Sequence, residues 1–180
     1  LSDGPNTMEQ RRLHNSQWGY LCPVETPDGG SIGQHKHFAQ TCTVSQEHDP
    51  EKLTKWVTKT SGFHQYNKKD FFNPSHHNVF VNGSWIGVQK KPKEFVEAFR
   101  AKRSDLKDSV VHWSFSIAWN IKDCDICILT TGGRLMRPLR MKSKPSFEDK
   151  NLELLGPIPE VMIEHGCEYI DPSEADTILV

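Results

Sequence analysis

An α+β chain of several small modules is predicted from three features: a first segment crowded with turn formers, two amphipathic helical stretches, and alternating apolar runs around an Asn-Gly pair. The first segment, residues 1 to about 46, holds Ser2-Asp3-Gly4-Pro5-Asn6, Pro23 and Pro27-Asp28-Gly29-Gly30. Its backbone is therefore expected to run mostly as ordered loop. Pro27 fixes φ at the start of a turn, while Gly29 and Gly30 allow positive φ or close packing against a neighbouring backbone. Trp18, Tyr20 and Leu21 are the expected anchors, and Trp18, like Trp85, is expected in a core rather than as an exposed stacking platform.

Asp49-Pro50-Glu51 opens a helix, with Asp as cap, Pro at the first helical position and Leu53, Trp56 and Val57 as the apolar stripe; Gly62 marks its end. Residues 63 to 77 are polar and read as a linker. From Asn78 the period becomes two, and Val79, Val81, Asn82-Gly83, Trp85 and Ile86 predict a hairpin with a type I′ turn. Lys91-Pro92-Lys93-Glu94 opens a second helix with Phe95, Val96, Ala98, Phe99 and Leu106 on its apolar face and Lys102 and Arg103 near its end.

Runs through Val110-Val111, Phe115 to Ile117, Ile126 to Leu129 and, after the Thr131-Gly132-Gly133 turn, Arg134 to Leu139 predict a small antiparallel sheet with the helices packed on it. Beyond a charged break at 142–150, a short helix near Pro159 to His165 leads through Gly166 to Glu168-Tyr169-Ile170-Asp171-Pro172 and a last strand at Ile178-Leu179-Val180. The expected modules are residues 1–46, 47–77, 78–143 and 144–180. Leu1 in place of Met and the terminal apolar run read as cut ends.

The formal net charge is −1, so contact with nucleic acid would depend on a local basic patch rather than a global field. Five cysteines, odd in number and irregularly spaced, argue against a disulfide framework and for an intracellular, reducing setting. No apolar run reaches membrane-spanning length.

The string Arg12-Leu13-His14-Asn15-Ser16-Gln17-Trp18-Gly19-Tyr20-Leu21-Cys22-Pro23-Val24-Glu25-Thr26-Pro27-Asp28-Gly29-Gly30-Ser31-Ile32-Gly33 resembles the signature of the second-largest, β-type subunit of multisubunit DNA-dependent RNA polymerases. Val81 to Gly87, Gly132 to Leu139 and Glu168 to Asp171 follow in the family's order. The resemblance implies a fork region over residues 1–46, an external module over 78–143, and a second, truncated external module over 144–180. It also implies a role in transcription at the downstream edge of the RNA–DNA hybrid. Its partners would be the largest and other polymerase subunits, DNA template, the hybrid and nucleoside triphosphates. The complete polymerase uses magnesium held mainly by aspartates of the other large subunit; no such motif stands here. The fragment is therefore expected to carry no catalytic residue, hold no cofactor or metal, and be inactive alone. Origin in a large DNA virus is one reading, with nucleus, cytoplasm or virion as the setting.

On that resemblance, Arg11 and Arg12 are the expected nucleic-acid contacts, since guanidinium groups suit phosphates and base edges. His14, Glu25, Thr26 and Asp28 would orient them, and Gly29 with Gly30 would keep the loop packed. Gln34-His35-Lys36-His37 departs from the family's continuation. Cys124-Asp125-Ile126-Cys127 lacks the second ligand pair of a zinc knuckle and reads as strand thiols. His35, His37, His76 and His77 read as surface histidines. The rival reading is a free-standing nucleic-acid-binding or polymerase-docking module with no role in synthesis.

Overall fold

The computed structural model describes residues 8–65, 75–142, 159–164 and 166–178. The Ser2 to Asn6 turns, most of the polar linker, the charged break and the end of the expected last strand lie outside them. Residues 8–42 are loop, punctuated by short 3-10 turns at Glu9–Arg11, Asn15–Gln17 and Gly29–Ser31 and closed by a Leu21–Phe38 bridge. Then come β1 (Thr43–Val44), α1 (Glu51–Lys59), β2 (Phe63–His64), β3 (His77–Val81), β4 (Ser84–Gln89), α2 (Pro92–Arg103), β5 (Ser116–Asn120) and β6 (Asp125–Leu129). The chain continues with β7 (Leu135–Arg140), α3 (Pro159–Glu164), β8 (Cys167–Ile170) and α4 (Pro172–Ala175). With helices beside two sheets, the fold is α+β.

α1 starts one residue later than expected, with Pro50 in the cap position, and the Asp49 carboxylate accepts the Glu51 N–H at 2.9 Å, which satisfies a donor with no helical partner. Leu53 and Val57 are buried on its inner face, and Trp56 stacks on Phe95 of α2 at 5.6 Å. α2 buries Phe95, Val96 and Phe99, whereas Ala98 and Leu106 are exposed. Both helices share one core with Val79, Val81, Ile117, Ile126 and Ile128 of the sheet they cover.

That sheet has five strands in the order β2-β4-β3-β6-β5, and its central pair, β3 with β6, is parallel. The wholly antiparallel expectation fails because two hairpins lie side by side: α2 and the loop after it carry the chain across, so the second strand of one hairpin runs with the first strand of the other. The β3–β4 turn has Asn82 at φ 49° and Gly83 at φ 80°, the doubly positive backbone of a type I′ turn. The Asn82 side chain also accepts the Thr130 N–H (2.8 Å) and donates to its hydroxyl (2.9 Å), tying the turn to the end of β6. Phe63–His64, expected as linker, forms edge strand β2, while Val110-Val111 lies in irregular backbone.

β7 does not join this sheet. Thr130 to Gly133 turn against residues 45–47, where the buried Ser45 bonds Arg134 twice: its N–H donates to the Arg134 carbonyl at 2.9 Å, and its hydroxyl oxygen accepts the Arg134 N–H at 3.0 Å. β7 thus becomes the middle of a second, antiparallel sheet, β1-β7-β8, so strands from both ends of the described chain flank it.

The two sheets are joined by buried charge. Arg103, expected near the end of α2, is there but 2% exposed. Its guanidinium pairs with Glu174 at 2.6 and 2.9 Å and with Glu168 at 2.7 Å, and donates to the Phe115 carbonyl at 3.1 Å. Burial opposes the Arg103 charge, but Glu174 and Glu168 outweigh it and raise its pKa above the usual value. Alongside, Arg134 pairs with Asp171 at 2.9 Å, and Asp171 accepts from Ser116 and caps α4 through the Glu174 N–H.

Candidate nucleic-acid interface

The loop of residues 8–42 holds its shape through short-range bonds. His14 caps the Asn15–Gln17 turn, with its Nδ1 accepting the Ser16 N–H at 3.2 Å. Thr26 is the staple: its hydroxyl donates to the His35 carbonyl (3.0 Å) and accepts the Gly33 N–H (2.8 Å). Gly33, at φ +72°, packs on the first turn so closely that a Cβ would collide with the Arg11 carbonyl. Arg11, half-buried, donates from Nη1 to the Gly30 carbonyl at 2.5 Å, and Lys36 reaches the Gln10 carbonyl at 3.5 Å.

Arg11, Glu25 and Thr26 line one small cleft of about 190 Å3 together with Gly33 and Lys36. His14 instead lines a larger cleft of about 520 Å3 with Leu13, Trp18, Leu21, Pro23 and Arg137. Arg12 is exposed and pairs with Glu9 at 2.9 Å, so an acid of its own turn, not one of the 25–28 turn, faces it. The Glu25 carboxylate lies 3.9 Å from His37 Nδ1. Asp28 is exposed at the start of the Gly29–Ser31 turn and does not cap it.

Several expectations need correction. A Cβ at Gly29 or Gly30 would meet nothing within 4 Å, so close packing does not explain them; Gly29 is at φ +74°, a backbone requirement. The close-packing role belongs to Gly33. Trp18 is 71% exposed rather than an anchor, because only Tyr20, 3% exposed, turns into the fold. Trp85 lies at the surface, stacked on Phe80 and bonded to the Gly87 carbonyl. His77 is buried at the start of β3 against Trp119, and desolvation lowers its pKa, contrary to a surface histidine. Cys124 sits at φ 56° in the turn before β6, with Cys127 on that strand. Among the described residues no group of three His, Cys, Asp or Glu side chains is placed to hold a metal, and no helix is long and apolar enough to cross a membrane.

The sequence reading missed Lys36, Gly33 and the Tyr20–Arg137 contact. Gly33 closed the recognised string, and a glycine there was a legible signal; Arg137 lies over a hundred residues away and gave none.

A family model described as RNA polymerase Rpb2, domain 3, matches residues 1–44, and another described as RNA polymerase Rpb2, domain 4, matches residues 79–141. The chain belongs to the Rpb2 family of RNA polymerase second subunits. The DNA-directed RNA polymerase II subunit RPB2 of Schizosaccharomyces pombe is 35% identical over 94% of this chain and 16% of its own length. The RPB2 of Eremothecium gossypii is 28% identical over the same shares. The DNA-directed RNA polymerase subunit 2 of Acanthamoeba polyphaga mimivirus is 29% identical over 94% of this chain and 14% of its own length. The chain thus spans about 16% of the Rpb2 proteins it matches. Within this Rpb2 segment the stapled loop lies in the domain 3 match, and the Asn82-Gly83 hairpin, α2, β5, β6 and β7 lie in the domain 4 match.

Proposed function

We propose that this segment shapes the downstream edge of the RNA–DNA hybrid beside the active site of a DNA-directed RNA polymerase, where Arg11 and Arg12 face nucleic acid. The observation that carries the reading is the fixed placement of Arg11: its side chain is held by Gly30 and its backbone by Gly33, which Thr26 staples in turn. A guanidinium held this way contributes at a set position, which suits contact with a phosphate or base edge better than a freely moving charge. With a net charge of −1, the chain attracts nucleic acid only at such local points.

The loop also exposes Met8, Leu13, Trp18, Val24, Ile32 and Phe38. Leu13 and Trp18 share one cleft with Leu21 and Pro23, a grouped apolar surface of the kind another chain covers, and it supports the largest polymerase subunit, with the other subunits, as partner. Template DNA, the hybrid and nucleoside triphosphates are the substrates of the whole assembly. Nucleotidyl transfer itself belongs to that complex, inside the cell or virion; its magnesium is not assigned to this segment, and the chain alone makes no RNA.

The test is the rate of nucleotide addition on a defined scaffold by the assembled polymerase. Arg11→Ala should slow it with assembly intact, while Lys122→Ala, an exposed charge on the β5–β6 turn, should leave it unchanged. Wild-type rates for Arg11→Ala and Arg12→Ala alike would favour the rival, a docking module without a part in synthesis.

A further inference from the structure

We infer that Tyr20 and Arg137 are positioning residues that set the angle at which the loop carries Arg11 toward nucleic acid. The inference rests on the functional reading above. Throughout residues 8–42, Tyr20 alone is buried. It therefore anchors a loop that is otherwise exposed or half-exposed.

Each arm of the loop meets at this residue. On the incoming side the Tyr20 N–H donates to the Gln17 carbonyl at 3.0 Å, and the Gln17 N–H donates to that of His14 at 3.0 Å. On the outgoing side the Tyr20 carbonyl accepts the Ala39 N–H at 3.0 Å. The side chain reaches into the second sheet, where its hydroxyl donates to the Ile170 carbonyl at 3.2 Å and the Arg137 guanidinium lies over its ring at 5.4 Å. Arg137 and Ile170 are cross-strand partners on β7 and β8, so two adjacent strands grip one ring.

The fit admits little freedom. Gly19, at φ +79°, lies against the Arg137 stem, and a Cβ there would come within 2.8 Å of Arg137 Cδ. Nothing but hydrogen fits at that spot unless Arg137 moves. A shift at Tyr20 passes along the His14 to Gln17 turn, and along the outgoing arm through Gly33 to the Arg11 backbone. Misplacement of a contact group by about 1 Å can cost up to roughly a hundred-fold in rate, so a post of this kind governs activity without touching substrate.

The experiment is a cycle of single and double variants in the assembled polymerase, read as nucleotide-addition rate on a defined scaffold. Arg137→Ala should slow addition about ten-fold, and Arg137→Lys, which keeps a cation and an aliphatic stem, should restore most of the rate. Arg137→Ala combined with Arg11→Ala should be no slower than the slower single variant, because both act through one group and such effects do not add. Tyr20→Phe, which removes the hydroxyl and its bond to Ile170 but keeps the ring under Arg137, keeps the test open if Arg137→Ala fails to assemble; it should also slow addition and also fail to add to Arg11→Ala. A slowed Arg11→Ala beside wild-type Arg137→Ala and Tyr20→Phe would overturn this inference alone, as would fully multiplicative effects. A wild-type Arg11→Ala beside a slowed Arg12→Ala would overturn the route assigned to Arg137, and wild-type rates for both would overturn the functional reading with it.

Discussion

Arg103 and Glu174, 71 residues apart in the chain, form a two-toothed ion pair at 2.6 and 2.9 Å with both side chains essentially inaccessible. Leaving one buried charge without its partner typically costs about 3–5 kcal/mol, whereas an apolar pair of similar volume can be nearly neutral. Glu174→Ala leaves Arg103 only Glu168 as a carboxylate partner, so it should lower the unfolding free energy of the chain by up to about that amount. Arg103→Met with Glu174→Leu should recover most of it. Denaturant titration measures both, and an unchanged midpoint for Glu174→Ala would show that the pair does not bind the C-terminal segment to α2.

Gly83 separates backbone strain from crowding. It sits at φ +80°, and a Cβ there would meet nothing within 4 Å, so any cost of substitution is conformational. Gly83→Val should destabilise by about 1–3 kcal/mol, while Gly83→Asn, which tolerates positive φ, should cost far less. Equal losses for the two would argue against the turn geometry.

Acid should loosen the cleft between His48 and His112, whose rings lie 4.0 Å apart. Burial first, then the nearby His48, pushes His112 down to about 4, against a smaller opposing effect of Glu160. In the unfolded chain a histidine titrates near 6.5, so the folded state binds fewer protons between these values. Its stability contribution is then fully present above about 6.5 and lost progressively as pH falls toward about 4. His112→Asn keeps an acceptor for the Ser114 N–H, which His112 Nδ1 now takes at 3.2 Å. The variant should show a shallower loss of unfolding midpoint between pH 7 and pH 5 than the native chain, and parallel curves would exclude His112 as the titrating group.

Thr26 should matter more than its acidic neighbours. Thr26→Val strands the Gly33 N–H and the His35 carbonyl, at about 1–3 kcal/mol for donors and acceptors left unmade. Limited proteolysis of residues 8–42 should quicken, and polymerase carrying the variant should add nucleotides more slowly; Thr26→Ser should correct both. Asp28→Ala should leave the cleavage rate unchanged, because the exposed Asp28 does not cap the turn it precedes.

What sequence could and could not reveal follows from the range of the interactions. Asp49 before Pro50, Asn82 beside Gly83 and the apolar positions of α2 act within a few residues, and each produced the element it signalled. The loop's turn-rich character was legible for the same reason. Pairing of β3 with β6, departure of β7 to a second sheet and burial of Arg103 depend on partners 27 to 93 residues away, which no local pattern specifies. At the candidate site, Thr26 and Arg11 line one cleft. Trp18 was misread because an aromatic residue usually signals a core; here the ring faces outward.

Ser45 and Arg134 are held side by side by reciprocal main-chain and hydroxyl bonds, so the 88 residues between them leave and return at a single point. Such a unit is a cassette. Its loops can lengthen, shorten or be exchanged over evolutionary time without altering the spacing of β1 and β7, provided Arg103 still meets the two glutamates. The spacing of the loop and the second sheet is thereby set at Ser45 and Arg134, whatever the cassette presents to solvent.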